Sequence, residues 1–182
     1  MTQRLPEDAP RSGRPAAGAP RTNASASPTP RIERTNLFLH PGQVFAAPDP
    51  TEITTILGSC VAVCLFDRAR RVGGMNHYLL PHAVAGPRFP SRFGSVAIQR
   101  LVERMADFGC PVPALEAKVF GGAGVVRALA RSEAGLGMQN VDVALELLRA
   151  LGIPVSASDV GGARGRKLVF HTDDGSAWVK VI

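Results

Sequence analysis

The sequence predicts an α/β fold: a mixed sandwich formed by a single domain, with helices on one face. The chain has 182 residues and is 45% hydrophobic, which suits one domain with a full core. Short apolar, β-branched runs bounded by glycine or proline indicate about seven strands. Two segments repeat apolar residues at helical spacing. Strands that outnumber two helices favour a sandwich with the helices in one layer.

Residues 1–34 differ from the rest of the chain. They are rich in Pro, Ala, Ser, Thr and Arg and contain no large apolar cluster, so they cannot offset the entropy lost on ordering. We expect a disordered tail over 1–34 and a domain over 35–182. The tail's six arginines against three acidic residues give it +3 of the chain's +6 charge. The domain is therefore only mildly basic, which does not favour a nucleic-acid partner.

Two further features bear on where the protein works. The sequence has no uncharged apolar run of about 18 residues, so we expect no membrane insertion, and the first 30 residues do not resemble a secretory signal. Three cysteines form an odd count, which argues against a disulfide framework and for a reducing compartment. The expected location is the cytoplasm.

The first half of the domain is predicted as four strands and a helix. Pro48 and Pro50 separate the first two strands, Pro81 ends the fourth, and Gly109 ends the helix. The predicted strands are Gly42–Ala46, Glu52–Leu57, Val61–Phe66 and Val72–Leu80, and the helix spans about Phe93–Phe108.

The second half is predicted as a strand, a helix and three late strands. Asn140 is predicted to cap the second helix and Gly152 to end it. The predicted elements are the strand Leu115–Phe120, the helix Val141–Leu151, and the strands Val155–Val160, Lys167–His171 and Trp178–Ile182.

Cys60 is the first candidate for chemistry. A cysteine in an apolar run is commonly an inert core residue, as Cys64 is expected to be. Gly58 and Ser59, however, interrupt the run just before Cys60. Such a break exposes a side chain and neighbouring N–H groups, which are the access and the oxyanion hole that an acyl-transfer nucleophile needs.

His77 lies 17 residues after Cys60, on the predicted neighbouring antiparallel strand. It could simply be a satisfied, partly buried histidine. The separation is also compatible with a hydrogen-bonded Cys–His pair, in which the imidazole lowers the thiol pKa and returns a proton to the leaving group.

A metal site is the main competing interpretation of these residues, since His40, Cys60, Cys64 and His77 form a Cys₂His₂ set. Two thiols four residues apart on a strand lie about 13 Å apart. Two ligands of one zinc ion must lie within about 4 Å of each other. We therefore expect no metal here, and we expect no cofactor.

Two glycine-rich segments follow strands. Gly121-Gly122-Ala123-Gly124 lacks the spacing of a phosphate loop, so a backbone turn packed near the site is favoured. The segment 159–166 ends in Arg166 and is either a flexible hairpin or an arginine-bearing rim. Gly121, Gly122 and Arg166 are the predicted substrate or partner rim.

Several motifs occur together in the order found in one family. They are Leu57-Gly58-Ser59-Cys60-Val61-Ala62-Val63-Cys64, Gly73-Gly74-Met75-Asn76-His77, Leu79-Leu80-Pro81, Ala117-Lys118-Val119-Phe120-Gly121-Gly122-Ala123, Asn140, Asp159-Val160-Gly161-Gly162 and Gly165-Arg166. On these motifs, residues 36–182 resemble the CheD family of chemoreceptor glutamine deamidases. The resemblance implies a single-domain α/β/β sandwich, of mainly antiparallel strands with two main helices on one face, related to toxin-type cysteine deamidases.

The resemblance also implies the site. The family's catalytic set is a cysteine, a histidine and a threonine six residues before the cysteine, which correspond to Cys60, His77 and Thr54, with Thr55 adjacent. Gly58, Ser59 and Asn76 are the expected oxyanion or site backbone. The implied reaction converts receptor glutamines to glutamates through a thioester.

The resemblance leaves other functions open. Some members hydrolyse receptor glutamyl methyl esters, and some bind the phosphatase CheC. A non-catalytic adaptor that binds receptors or CheC is the alternative function. The expected partners are the cytoplasmic helices of chemoreceptors.

Overall fold

The computed structural model describes residues 32–83, 90–124 and 133–182. They form nine strands and two α-helices. The bounds are β1 Thr35–Phe38, β2 Val44–Ala47, β3 Thr51–Leu57, β4 Val61–Asp67, β5 Val72–Asn76, α1 Gly94–Asp107, β6 Leu115–Gly121, α2 Glu133–Ala150, β7 Val155–Val160, β8 Arg166–His171 and β9 Ala177–Val181. The compact unit begins at Ile32. Positions 1–31 of the predicted tail, 1–34, lie outside the described residues. The boundary of the tail at residue 34 therefore stays a prediction.

The strands form two sheets. The central sheet has the order β2-β5-β4-β6-β7 and the outer sheet the order β1-β3-β8-β9. The β1–β3 and β6–β7 pairs are parallel and the other pairs are antiparallel. Both helices contact strands of the central sheet. The three layers are therefore helices, central sheet and outer sheet, and the predicted α/β/β sandwich is confirmed.

Two apolar cores hold the layers together. The core between the helices and the central sheet contains side chains such as Val61, Val63 and Leu101. The core between the two sheets contains Ile53, Cys64 and Phe170. Because β4 takes part in both cores, all seven of its residues are buried, which explains its uninterrupted apolar sequence.

Most predicted elements are found within a few residues of their expected bounds. The exceptions are informative. The strand β1 was not predicted, β5 ends at Asn76 rather than at Leu80, and α2 begins at Glu133. Asn140 therefore lies inside α2 and does not cap it, which corrects the predicted role. Among the described residues, no helix is long and apolar enough to cross a membrane.

Candidate active site

Cys60 lies in the turn between β3 and β4, and its backbone is fixed by the glycine-rich end of β6. The carbonyl of Cys60 accepts a 2.8 Å hydrogen bond from the N–H of Gly122, and the carbonyl of Gly58 accepts one of 2.8 Å from Ala123. A Cβ added at Gly121, whose φ is +113°, would lie 2.1 Å from the Cys60 oxygen. Only glycine allows the two segments to approach this closely.

The same turn presents two amide groups. Within the described part of the chain, the N–H groups of Ser59 and Cys60 donate no hydrogen bond to another residue. Cys60 itself is half-buried and forms no disulfide. These amides can therefore donate hydrogen bonds to the oxyanion that develops when the sulfur attacks a carbonyl carbon.

His77 follows β5 and lies beside the turn. Its N–H donates to Gln43 and its carbonyl accepts from Gly42, so the loop before β2 holds its backbone. Val61 and Tyr78 form an antiparallel bridge, which makes Cys60 and His77 diagonal neighbours across β4 and β5. Diagonal neighbours on one face lie roughly 7–8 Å apart at their Cα atoms and somewhat closer at Cβ.

Thr55 orients the imidazole. Its Oγ1 lies 2.9 Å from His77 Nδ1 and 2.7 Å from the carbonyl oxygen of Leu39. A carbonyl can only accept, so the hydroxyl proton goes to Leu39 and the same oxygen must accept from Nδ1–H. The neutral ring then carries its lone pair on Nε2, which is buried and has no hydrogen-bond partner in the part of the chain described. That nitrogen is free to take a proton.

Thr54 is not part of this arrangement, contrary to the role that the resemblance implies. Residues of β3 alternate between the two faces of the outer sheet, and Ile53, Thr55 and Leu57 face the inter-sheet core. Thr54 therefore lies on the opposite face. The threonine five residues before Cys60, rather than six, contacts His77.

Burial shifts the pKa values of both groups against ionisation. For the His77 imidazole, burial lowers the pKa, the Leu39 carbonyl partly opposes this, and nearby His40 adds a smaller lowering; together they bring the pKa from 6.5 to about 4. Burial also raises the pKa of the Cys60 thiol above 9.0. The sequence predicted that the imidazole would lower the thiol pKa. In this structure burial is the largest influence on both groups, and it favours the uncharged form of each.

Cys64 is the packed bystander that the sequence predicts. It is 1% exposed in the inter-sheet core, and burial raises the pKa of its thiol. Asn76, predicted near the oxyanion, points elsewhere: its Oδ1 accepts a 2.9 Å hydrogen bond from the N–H of Val63 in β4. Its side-chain oxygen thus bonds to β4 and not to the turn.

The predicted rim is wrong. Gly121 and Gly122 are buried and support the Cys60 turn. Arg166 is 5% exposed, and its guanidinium donates to the carbonyls of Gly121, Asp159 and Gly161. Both terminal nitrogens donate to backbone oxygens, and Nη1 also lies 2.9 Å from Asp159 Oδ1. Arg166 therefore joins β8 to the ends of β6 and β7 instead of lying on an exposed rim.

Asn140 makes a contact that the sequence did not assign. From the interior of α2 its Nδ2 donates to the carbonyls of Ser59, at 3.0 Å, and Leu79, at 2.9 Å.

Among the described residues, no group of three His, Cys, Asp or Glu side chains could hold a metal ion.

Comparison with known proteins identifies the family. A family profile described as "CheD chemotactic sensory transduction" matches residues 79–181. "Probable chemoreceptor glutamine deamidase CheD 1" of Anaeromyxobacter dehalogenans (strain 2CP-C) is 54% identical over 81% of this chain and 85% of its own length. The chain belongs to the CheD family.

Two further CheD relatives, each named "Probable chemoreceptor glutamine deamidase CheD", are similar over most of their length. The protein of Rhodospirillum rubrum is 46% identical over 80% of this chain and 81% of its own. The protein of Sulfurimonas denitrificans is 38% identical over 83% of this chain and 97% of its own. The profile match begins after Thr55, Cys60 and His77 and so does not include these three residues.

A search of solved structures gives a more distant likeness. The crystal structure of Bacillus licheniformis hypothetical protein YfiH matches with a TM-score of 0.42 and 14% identity, and the match covers 66% of this chain and about half, 49%, of that one. This likeness carries no argument about CheD function.

Proposed function

We propose that this CheD-family chain hydrolyses the side-chain amide of glutamine residues in chemoreceptors and leaves glutamate. The observation that carries the proposal is the Thr55–His77 pair, which presents an unprotonated Nε2 beside the Cys60 turn. The names of the relatives supply the substrate class, since they are chemoreceptor glutamine deamidases.

The mechanism follows from two neutral groups. As the Cys60 sulfur attacks the amide carbon, its proton passes to His77 Nε2, so no thiolate has to exist in the free enzyme. The carbonyl oxygen becomes an oxyanion and is bound by the N–H groups of Ser59 and Cys60. The imidazolium that forms keeps its Nδ1–H on Thr55, which holds the ring in place.

The intermediate then collapses in two stages. The C–N bond breaks, His77 returns its proton to the leaving nitrogen, and ammonia departs from a thioester on Cys60. Nε2 next takes a proton from water, the hydroxide attacks the thioester carbon, and the sulfur leaves with the proton. The product is a glutamate side chain and the thiol is restored. No redox partner is consumed.

The partners and location follow from the substrate. The family resemblance implies substrates on the cytoplasmic helices of receptors, and on that ground we infer a cytoplasmic protein. Hydrolysis of receptor glutamyl methyl esters and binding of CheC both stay predictions from the family resemblance.

The test is incubation of a receptor cytoplasmic fragment with wild-type protein and with Cys60→Ala. Wild type should release ammonia and raise the mass of particular glutamine-containing peptides by the difference between an amide and an acid. Cys64→Ala is the matched control and should retain the activity. If wild type gives no more product than Cys60→Ala while it still binds the fragment, the adaptor alternative holds instead.

A further inference from the structure

The antiparallel ladder that carries the site ends at an open position. Val61 and Tyr78 form its last bridge, so Cys60 and Leu79 would be the next pair. They are not paired, and the side-chain amide of Asn140 bonds there instead, to the carbonyls of Ser59 and Leu79. Each N–H of the Asn140 amide thus donates to one of the two segments, the turn before Cys60 and the segment after His77.

We propose that Asn140 is a positioning residue that sets the separation between the Cys60 thiol and the His77 imidazole; this inference rests on the proposed deamidase function. Ser59 directly precedes the nucleophile, and Leu79 follows the base by two residues. A bond to both carbonyls fixes the nucleophile turn and the histidine strand to one point. Proton transfer from sulfur to Nε2 depends on that separation, because it requires hydrogen-bond reach.

The backbone of Asn140 is itself held firmly. Its carbonyl accepts a 2.6 Å hydrogen bond from the hydroxyl of Tyr78. One turn earlier in α2, a Cβ added at Gly137 would lie 2.5 Å from the carbonyl oxygen of Gly122, and Gly122 in turn donates to Cys60. Helix α2 therefore contacts the site through backbone atoms, and the Asn140 side chain extends from a fixed support.

The chemistry of the contact demands a carboxamide of this length. Aspartate has the same shape but no N–H donors, so Asn140→Asp turns both attractive contacts into repulsion between oxygens. Asn140→Ala removes the contacts without adding charge. Both should lower kcat about tenfold to a hundredfold with KM unchanged, as expected when reacting groups are misplaced by about 1 Å.

Thr172→Val is the matched control for lost stability. Thr172 is fully buried and also makes two hydrogen bonds, from the N–H of Thr51 and to the carbonyl of Asp49. These lie at the opposite end of β3 from Cys60. Thr172→Val should lower Tm about as much as Asn140→Ala and leave kcat within about twofold, because buried hydrogen bonds of neutral groups have similar net effects on stability.

Two readouts test the proposal: kcat and KM on a receptor fragment, and the rate at which iodoacetamide labels Cys60, measured by peptide mass. Loss of kcat and slower labelling in both Asn140 variants, with neither in Thr172→Val, supports it. Equal losses in all three variants, or wild-type values in the Asn140 variants, overturn it. If Asn140→Asp does not fold, Asn140→Ala decides. Labelling needs no receptor, so it tests Asn140 even if wild type proves unable to deamidate.

Discussion

The two sheets of this protein contribute unequally to the site. The central sheet supplies the Cys60 turn and His77, and β4 and β5 are buried at every position. The outer sheet supplies Thr55 from β3, whose residues alternate between buried and partly exposed. Within the described residues no element covers its outward face, where Ile56 is 52% and Trp178 51% exposed.

This difference shows how the site depends on the fold. The nucleophile directly precedes β4 and the base directly follows β5, so their relation is fixed by the backbone pairing of these neighbouring strands and the Val61–Tyr78 bridge. The residue that sets the tautomer comes from the other sheet, so its contact exists only when the two sheets are packed. The inter-sheet core is therefore part of the catalytic apparatus, while the outward face of the outer sheet is not.

The largest expected effect is a loss of kcat, and it should differ between the two buried histidines. His77 lies between the sheets, whereas His171, on the outward face, lies 3.1 Å from Glu52 Oε2. His77→Gln should lower kcat by about 10²–10⁴-fold, the usual contribution of a general base. His171→Gln should leave kcat within about twofold, since its contacts are at the far end of β3. Steady-state kinetics on a receptor fragment measures both, and equal losses would contradict the division between the sheets.

The next effect is on how the free energy of unfolding depends on pH. Folding lowers the pKa of His77 from 6.5 to about 4, so the unfolded chain binds the extra proton first as pH falls. The contribution of neutral His77 to the free energy of unfolding is fully present above about pH 6.5. It decreases as the pH falls toward 4, by about 3 kcal/mol in total if the pKa shift is converted at 1.36 kcal/mol per unit. Urea unfolding of wild type and His77→Gln across this range measures it.

The comparison between the two proteins isolates the histidine. Carboxyl groups such as Asp67 and Asp174, whose pKa values are lowered in the folded state, destabilise both proteins in acid alike. The difference between the two curves should therefore shrink as pH falls from 6.5 to 4. Parallel curves would show that His77 is not buried as a neutral ring.

A smaller effect on kcat should distinguish the two faces of β3. Thr55→Val removes the acceptor for His77 Nδ1–H and the donor to Leu39 without changing the side-chain shape. It should lower kcat about tenfold, which is about the worth of one such hydrogen bond. Thr54→Val, on the outward face, should leave kcat within about twofold. The reverse order in the same assay would restore the spacing that the family resemblance implies.

Much of this arrangement could be predicted from the sequence. The glycine and serine before Cys60 marked a turn between apolar strands, and the distance to His77 fitted neighbouring antiparallel strands. Both predictions depend on local chain properties. In the structure His77 lies beside the Cys60 turn, but among the described residues its Nε2 has no hydrogen-bond partner, so the catalytic pair stays a prediction. The buried run of β4 likewise indicated a strand, although apolar runs alone do not show that a strand is covered on both faces.

The parts that failed depend on which way a side chain faces. The spacing of six residues that the family resemblance implies indicates Thr54, yet Ile53 and Leu57 fix the buried face of β3 and place Thr55 on it. In the same way, Leu168 and Phe170 place Arg166 on the buried face of β8. Alternation could have found both. Asn140 could not be assigned this way, because its partners come from two distant strands.

The smallest expected effect lies on the outward face itself. Lys167 and Lys180 are direct cross-strand partners in β8 and β9, and both are exposed. Like charges directly opposite destabilise a strand pair, so Lys180→Glu should stabilise the protein by a few tenths of a kcal/mol, within the roughly 0.2–1 kcal/mol of such pairs. The gain should decrease at high salt, since exposed charges are screened.

Two variants serve as controls for this pair. Lys180→Gln should give part of the gain, because it removes the repulsion without adding an attraction. Lys167→Glu combined with Lys180→Glu should lose the gain again, because it restores like charges. Urea unfolding at low and high salt distinguishes these outcomes, and kcat should be the same in all of them. A change of kcat here would mean that the outward face also takes part in the reaction, and the contrast between the two sheets would fail.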